Sequence, residues 1–382
     1  MDTSSHPTLN DAKRFEFFLR VRRGAELRWG KPLHVSIEEL LWYEITVAEQ
    51  SPQGFEFYEQ LADVIAELRD RNFAVCPISG AMMCSTIAYA LHITEMDPVG
   101  SNYCLDWYLS SEKTLPSRID FIVEEAARDF IQSLAVNGRI PKSVKFEFVS
   151  AVGKSADDQE LWNALMPNCA DSQFDRETIP PYDKETASLY ERRVFELFAQ
   201  WDRLKHPNPF GDWAAEELAT VKPKTLFDLA TCVALRTAPE RRRQWLAARR
   251  GVPPVIPIHK IIGPSKWHIA DTANLPLFEE QYFLFARSFA GLTSAQARKL
   301  CAALLSQDKA RIMEAHEGFH YGSMHNRMFR ASFKNEWTPA ESLVEMIWVD
   351  WVRNYPMAVK QPFVDYEAIG LYQRYAANIR DA

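Results

Sequence analysis

The chain has 382 residues, of which 47% are hydrophobic and 25% charged, and its formal net charge is −7. The length suggests two or three domains and the composition is ordinary for a soluble globular protein. The negative charge argues against a coat of basic residues for non-specific DNA binding, but leaves room for a local basic cleft. No stretch reaches the ~18 apolar residues of a membrane span, and the N-terminal residues lack a secretion signature. We expect a cytoplasmic protein with reduced cysteines and no membrane partner.

The N-terminal third predicts helices followed by a strand. Residues 1–12 are polar and suggest a loose tail, and Lys13–Arg23 mixes aromatic with basic residues, as in a strand or a helix with one basic face. Ser36–Glu39 has the pattern of a capping box that opens a helix. Phe55–Arg71 has apolar residues at helical spacing, and Phe73–Val75 is typical of a strand.

The central stretch carries motifs suited to nucleotide chemistry. Pro77–Ser85, PISGAMMCS, follows the predicted strand and opens a helix, an arrangement in which backbone N–H groups can bind phosphates. Two further segments end in carboxylates, Pro116–Phe121 (PSRIDF) and Val144–Phe148 (VKFEF). Between them, Ile122–Ala135 predicts a helix.

These segments resemble the palm of the bacterial DNA polymerase III α subunit, the replicative C-family polymerase. In that family the motifs are P-G-R-G-S-A-A-G-S, A-Y-A-L-x-I-T, P-D-x-D-x-D-F and V-K-F-D-F. The positions in step with the first two motifs and the acidic turn after them are Pro77, Gly80, Ser85, Ala88, Tyr89, Ala90, Leu91, Ile93, Thr94, Asp97 and Pro98. The resemblance implies an α/β, mostly helical fold with a small nucleotidyltransferase-like (polymerase β-like) mixed-sheet palm and a larger helical fingers-like region.

The resemblance also implies functional residues. Asp120, Lys145 and Glu147 take the positions of catalytic groups, and Gly80 and Ser85 those of the nucleotide-binding loop. Asp120 and Glu147 are the candidate metal ligands, so Mg²⁺ is expected only if this site is active; otherwise we expect no cofactor. The interpretation that we favour is that both are ordinary strand-end carboxylates.

Several substitutions predict a degenerate site. Ala81 replaces a phosphate-contacting serine, Cys84 replaces a glycine, and Met82 and Met83 add bulk to the loop. Arg118 places a cation where the family has a metal ligand, and a cation repels Mg²⁺.

The resemblance gives a domain organisation. Residues 1–35 form a lead-in, 36–150 a palm without the thumb, 151–180 a linker, and 181–382 a fingers-like domain. In the last of these, Arg236 keeps the position of an arginine in the family's fingers and is a further candidate for nucleotide binding.

The densest basic run predicts a nucleic-acid surface. Its candidate residues, on one predicted helix, are Arg241, Arg242, Arg243, Arg249, Arg250 and, for base stacking, Trp245. The alternative is a solvated helix face paired with the surplus acids.

His316–His320 reads HEGFH, the H-E-x-x-H pattern of zinc hydrolases. On a helix, His316 and His320 would hold Zn²⁺, with Glu317 as the base and His325 or Glu341 as a third ligand. The alternative is a solvated polar face. The Trp-rich stretch Met346–Trp351 is more typical of a core helix than of a binding site.

The leading hypothesis is a catalytically degenerate polymerase III α-like protein that acts as a nucleic-acid- or partner-binding scaffold in DNA replication, repair or defence. Its partner would be DNA, a nucleotide or another protein. The first alternative is a minimal metal-dependent nucleotidyltransferase that uses Asp120 and Glu147. The second is a zinc hydrolase.

Overall fold

The chain forms two compact units, residues 1–177 and 178–382. The computed structural model describes residues 9–51, 53–77, 80–99, 105–109, 114–116, 118–149, 195, 198, 210, 213–252, 269, 272–334, 337–362, 364–365, 367–368 and 371–372. The predicted linker, residues 151–180, lies outside these ranges.

The first unit packs helices around a small sheet. Its described helices are α1 (Leu9–Trp29), α2 (Val35–Glu49), α3 (Gly54–Asp70), α4 (Gly80–Met83), α5 (Thr86–Ala90), α6 (Leu105–Tyr108) and α7 (Arg128–Val136), with a 3₁₀ turn at Glu125–Ala127. Its strands are β1 (Val75–Pro77), β2 (Ile119–Glu124) and β3 (Val144–Val149). α3 confirms the helix predicted over 55–71, because its apolar residues recur on one buried face.

The sheet has the order β1-β2-β3, and β2 pairs antiparallel with β1 and parallel with β3. A parallel pair needs a crossover connection, which the 3₁₀ turn and α7 provide here. One face of β2, formed by Ile119, Phe121 and Val123, has no solvent exposure and packs into the core of the unit. The predicted small mixed sheet in a mostly helical chain is confirmed.

Four local predictions differ from the structure. Residues 9–12, the described part of the predicted loose tail, are the first residues of α1. The cap of α2 is His34, whose ring nitrogen accepts from the backbone N–H of Ser36, so the capping box predicted at Ser36 is wrong. The first strand begins two residues later than predicted, at Val75. The helix predicted from Ile122 begins only at Arg128, because the preceding apolar residues complete β2 by pairing with both neighbouring strands.

The described part of the second unit is helical. Its helices are α8 (Ala215–Val221), α9 (Leu226–Ala234), α10 (Pro239–Arg249), α11 (Glu279–Ala290), α12 (Ser294–Ser306), α13 (Lys309–His325), α14 (Arg327–Ser332) and α15 (Trp337–Asn354), with a 3₁₀ turn at Tyr355–Met357. Trp351 lies at the centre of an aromatic core, with ring centroids 5.1 Å from Tyr282 and 4.9 Å from Phe319. The two tryptophans of the Trp-rich stretch are therefore core residues, as predicted, while Met346 and Val349 face solvent. Among the described residues of both units, no helix has the length and apolar character to cross a membrane.

Candidate functional site

The sheet brings the three predicted catalytic residues to one face. In the β2–β3 pair, Asp120 lies opposite Lys145, and Ile122 lies opposite Glu147. Partners in a parallel register project from the same side of the sheet, because side chains alternate with a period of two. Asp120, Lys145 and Glu147 therefore share the face opposite the buried core, and the side chains of Lys145 and Glu147 are exposed.

Asp120 has two positively charged neighbours, Arg118 and Lys145. Arg118 donates from Nε to Oδ1 of Asp120 at 2.7 Å, with the Arg118 side chain 64% exposed. Lys145 is the direct cross-strand neighbour of the same carboxylate. Two positive charges at this position oppose the binding of a divalent cation.

The two carboxylates on this face, Asp120 and Glu147, are the candidate metal ligands. Among the described residues, no group of three or more His, Cys, Asp or Glu side chains is arranged to hold a metal ion. Asp120 and Glu147 are diagonal rather than opposite, which separates their Cα atoms by about 8 Å from strand spacing and rise. Mg²⁺ demands near-octahedral oxygen coordination, so an ion bound here would need further oxygen ligands besides these two carboxylates.

In the predicted phosphate-binding loop, Pro77 and residues 80–85 are buried, and Ile78 and Ser79 lie outside the described residues. Gly80 and the following residues form the short helix α4, and all four of its residues are buried. A Cβ atom added to Gly80 would lie 2.3 Å from the ring of Tyr108, which is 8% exposed. The tyrosine ring therefore covers the backbone at the glycine that the resemblance assigns to nucleotide binding.

The close approach of Tyr108 to Gly80 can be tested with a pair of substitutions. We expect Gly80→Ala to lower the free energy of unfolding of the first unit by about 1–3 kcal/mol, because the new methyl group overpacks against the ring. In a Tyr108→Ala background the same change should cost much less, since the space has been vacated. Urea denaturation of the four proteins in this double-mutant cycle gives the coupling, and purely additive effects would contradict the contact.

Ser85 has an internal role in the structure. It is the N-cap of α5, where its Oγ accepts from the backbone N–H of Ala88 at 2.8 Å. The same hydroxyl donates to Oε1 of Glu44 on α2, and Ser85 has no solvent exposure. The hydroxyl thus joins two elements of the fold.

Glu44 is the centre of a buried polar network that sequence reasoning missed. Its carboxylate also accepts from the Tyr58 hydroxyl at 3.0 Å, the Thr86 hydroxyl at 2.5 Å and the Ile87 N–H at 3.1 Å. Burial raises the pKa of Glu44, and these donors lower it in part. The sequence does contain a signal for this network, because Glu44 is an acid on the apolar face of a predicted helix.

Arg236 is paired within the second unit. Its guanidinium donates to the carboxylate of Glu367 at 2.6 Å, and the Glu367 side chain is 4% exposed. The predicted nucleotide-binding arginine therefore neutralises a buried acid. Its side chain remains 33% exposed.

Arg241 is a core residue. Its guanidinium contacts the carboxylate of Asp350 at 2.9 and 3.0 Å and donates to the Tyr282 hydroxyl at 3.2 Å. The side chain is 4% exposed, and the charge partners outweigh the cost of burial so that the pKa of Arg241 is raised. A contact with a nucleic acid phosphate does not fit this placement.

Arg242 and Trp245 are also buried, at 6% and 1% exposure. The Arg242 guanidinium lies 5.2 Å from the ring centroid of Trp213. Both side chains lie on the face of α10 that packs into the core, so the Trp245 indole is covered in this structure.

The other three arginines of the basic run reach the surface. Arg243 forms an ion pair with Glu240 on the same helix. Arg249 lies 3.4 Å from Asp228, and Arg250 donates to a threonine hydroxyl at 3.3 Å. They are dispersed among local partners, which matches the solvated-face alternative at least as well as a phosphate surface.

The two histidines of the HEGFH stretch lie on α13 and face acids of α15. Nε2 of His316 is 2.8 Å from Oε1 of Glu345, and Nε2 of His320 is 3.4 Å from Oε1 of Glu341. Because the described residues contain no metal-holding group of three side chains, the structure does not support the predicted zinc site. Glu317 is exposed on a different side of the helix.

Comparisons with known proteins agree with the two-unit organisation. Residues 17–137 match the family model of the bacterial DNA polymerase III alpha NTPase domain, and residues 164–327 match that of the bacterial DNA polymerase III alpha subunit finger domain. An error-prone DNA polymerase of Mycobacterium bovis is 30% identical over 149 residues, which cover 37% of this chain and 13% of that protein. One of Mycolicibacterium paratuberculosis is 22% identical over 411 residues, covering 79% of this chain and 37% of that protein.

A third relative, the error-prone DNA polymerase of Pseudomonas syringae pv. tomato, is 28% identical over 107 residues, 28% of this chain and 10% of its own length. The chain thus spans 37% or less of each of these relatives. The two matched domains together cover more than half of the chain and confirm the resemblance seen in its motifs. The chain belongs to the bacterial DNA polymerase III α family, of which it carries the NTPase and finger domains.

Proposed function

We propose that this chain binds nucleic acid without extending it, as a catalytically degenerate member of its family that serves as a scaffold in DNA replication or repair. The observation that carries the proposal is the ion pair between Arg118 and Asp120 at 2.7 Å. It places a cation on the best-preserved carboxylate of the predicted metal strand. A metal-dependent phosphoryl transfer needs that carboxylate to face the metal.

The loop supports the same conclusion independently. Tyr108 covers Gly80, and the Ser85 hydroxyl is committed to Glu44. Both halves of the expected site, the phosphate loop and the metal strand, are therefore engaged by the protein's own side chains. Removing one transition-state contact typically costs about 10²–10³ in rate, so their combined loss leaves little catalysis.

The test is nucleotide incorporation by the full chain on a primed DNA, with Mg²⁺ and separately with Mn²⁺. Asp120→Ala and Glu147→Ala variants run beside the unaltered protein, and an active DNA polymerase serves as the positive control on the same template. We expect no extension by any of the three forms. Extension by the unaltered protein that disappears in both variants would overturn the proposal.

A second candidate, a minimal nucleotidyltransferase, is favoured by one observation. Asp120, Lys145 and Glu147 share one face of neighbouring strands, and Glu147 is open to solvent. If this second candidate is correct, the Arg118 side chain blocks Asp120 and can move away from it. Arg118→Ala would then reveal Mn²⁺-dependent nucleotide incorporation. On the first proposal Arg118→Ala stays inactive.

A further inference from the structure

A cavity of about 470 Å³ opens to solvent between α12 and α13 of the second unit. Residues 307–308 connect these two helices, and so short a connection makes them antiparallel neighbours. The volume lies within the range of about 300–1,000 Å³ in which proteins bind small molecules. We call this space the α12–α13 cavity, and it is large enough for a small ligand.

The cavity exists because small residues line the facing sides of the two helices. Ala303 of α12 and Ala315 and Gly318 of α13 border it, together with the buried side chain of Leu300. Alanine and glycine leave space that larger side chains would fill. The lining of the cavity is therefore mainly apolar.

Gly318 has no packing reason to be a glycine. A Cβ atom added to it would meet no atom within 4 Å, whereas one added to Gly322, a turn later, would collide with the carbonyl of Ala290. Glycine in the interior of a helix is destabilising relative to alanine or leucine. Its presence at 318 keeps the cavity open at a cost to the helix.

The charged residues that line the cavity are two cations and one acid, Lys299, Arg311 and Glu314. Nζ of Lys299 donates to Oε1 of Glu314 at 2.6 Å, so these two charges neutralise each other across the helix pair. Arg311 is exposed in the first turn of α13, and among the described residues its guanidinium has no hydrogen-bond or ion-pair partner. The cavity thus carries one uncompensated positive charge.

Apolar walls and a single uncompensated cation suit an apolar molecule with one negative charge. A guanidinium offers a carboxylate two parallel N–H donors, and burial of an alkyl chain adds affinity in proportion to the area removed from water. Gln296 at the same cavity can also donate from its NH2 group, because its Oε1 is the atom that accepts from Thr293. A polyphosphate suits the cavity poorly, since Glu314 would repel it and only one cation is left to hold it.

The spacing along α13 sets the length of the ligand. Arg311 and Gly318 are seven residues apart in one helix, so both lie on the same face. Their separation along the helix axis is about 10 Å, which is comparable with the length of an extended octanoate.

We propose that the α12–α13 cavity binds a medium-chain carboxylate, with the carboxylate on Arg311 and the alkyl chain against Leu300, Ala303 and Gly318. The inference is independent of the proposed function, because it involves neither the sheet of the first unit nor a nucleic acid.

The experiment is isothermal titration calorimetry of octanoate, hexanoate and 1-octanol with the full chain. We expect saturable octanoate binding with a Kd on the order of 0.1 mM. Hexanoate, which is two CH₂ groups shorter, should bind about 15-fold more weakly. The uncharged 1-octanol should bind about 3- to 10-fold more weakly than octanoate, since it lacks the charge that Arg311 holds.

Two variants test the two halves of the cavity. Gly318→Leu should abolish the binding of octanoate and 1-octanol alike, because the new side chain enters the cavity, and its thermal unfolding temperature should not fall, because leucine favours a helix more than glycine does. Arg311→Gln should weaken octanoate binding about 3- to 10-fold and leave 1-octanol within about twofold. The matched control is Lys309→Gln, an exposed cation of the same helix turn that does not line the cavity, which should change neither affinity by more than about twofold.

Three results would overturn the proposal. One is the absence of saturable octanoate binding up to about 10 mM, and another is unchanged octanoate binding in Gly318→Leu. The third is displacement of octanoate by dTTP more readily than by hexanoate, which would identify a site for polyphosphates instead. Equal losses of octanoate and 1-octanol affinity in Arg311→Gln would show that the carboxylate does not lie on Arg311. Each of these results leaves the nucleotide-incorporation test of the proposed function unaffected.

Discussion

Replacement of Glu44 by alanine is expected to lower the free energy of unfolding of the first unit by about 3–5 kcal/mol. Glu44 has no solvent exposure, and its carboxylate receives three hydroxyls and one backbone N–H. Alanine leaves those donors buried without an acceptor, at a cost of about 1–3 kcal/mol for each one that finds no new partner. It also opens a cavity. Alanine also removes the free-energy cost of burying the Glu44 carboxylate. This gain offsets part of the loss, so the expected change is smaller than the penalties of four unpaired donors added together.

The measurement is urea denaturation followed by circular dichroism and tryptophan fluorescence, with the two units analysed as separate transitions where they resolve. Glu39→Ala is the matched control, because Glu39 lies on the same helix and is exposed; we expect it to change stability by less than about 0.5 kcal/mol. A Glu44→Ala variant within about 1 kcal/mol of the unaltered protein would mean that the network is not a main support of the unit.

Local sequence patterns predicted the helices and strands whose formation depends mainly on neighbouring residues. The periodicity of α3 was enough to place that helix, while β3 was placed by the resemblance of its VKFEF motif to a strand of the family. The end of β2 was missed because Ile122 and Val123 suit a strand and a helix equally, and what decides is pairing with β1 on one side and β3 on the other. Pairing partners far apart in sequence are invisible to a local pattern.

In the candidate site, too, some features follow from the local sequence and others depend on residues far away in the chain. The resemblance of their two motifs was enough to pair Asp120 and Glu147 as one candidate site, and the nearness of Arg118 followed from the chain itself. That the two acids share a face of the sheet is known only from the β2–β3 register. The covering of Gly80 by Tyr108 could not be predicted, since nothing in the loop sequence specifies which distant ring fills it. The burial of Arg241 likewise depends on Asp350, more than a hundred residues later.

A pH-dependent stability is expected from Glu279 at the start of α11. Burial raises the pKa of Glu279 to about 7, the neighbouring Glu280 adds to the rise, and Lys360 opposes it. Between the ordinary glutamate pKa of 4.5 and about 7, the folded protein binds a proton that the unfolded chain has released. Stability therefore falls as the pH rises through this window, and this contribution is constant above it.

Glu279→Gln should remove that slope, because the amide resembles the protonated acid in shape and stays neutral at every pH. At pH 8.5 we expect the variant to be more stable than the unaltered protein by about 1–3 kcal/mol, using about 1.4 kcal/mol for each unit of pKa shift and allowing for solvent screening. At pH 4.5 the two proteins should be nearly equal. Urea denaturation at pH 4.5, 6, 7 and 8.5 gives both curves, and the exposed Glu317→Gln on α13 is the control that should show no such divergence.

A gain that is the same at every pH would show that the amide packs better, and would contradict the titration of Glu279. If the stability gained by Glu279→Gln grows only between pH 4.5 and 7, the ionised carboxylate of Glu279 destabilises the second unit. Glu280, beside Glu279, accepts from the Gln361 N–H at 3.0 Å and is 4% exposed. Its nearby charge disfavours ionisation of Glu279 and so adds to the rise that burial causes in the pKa of Glu279.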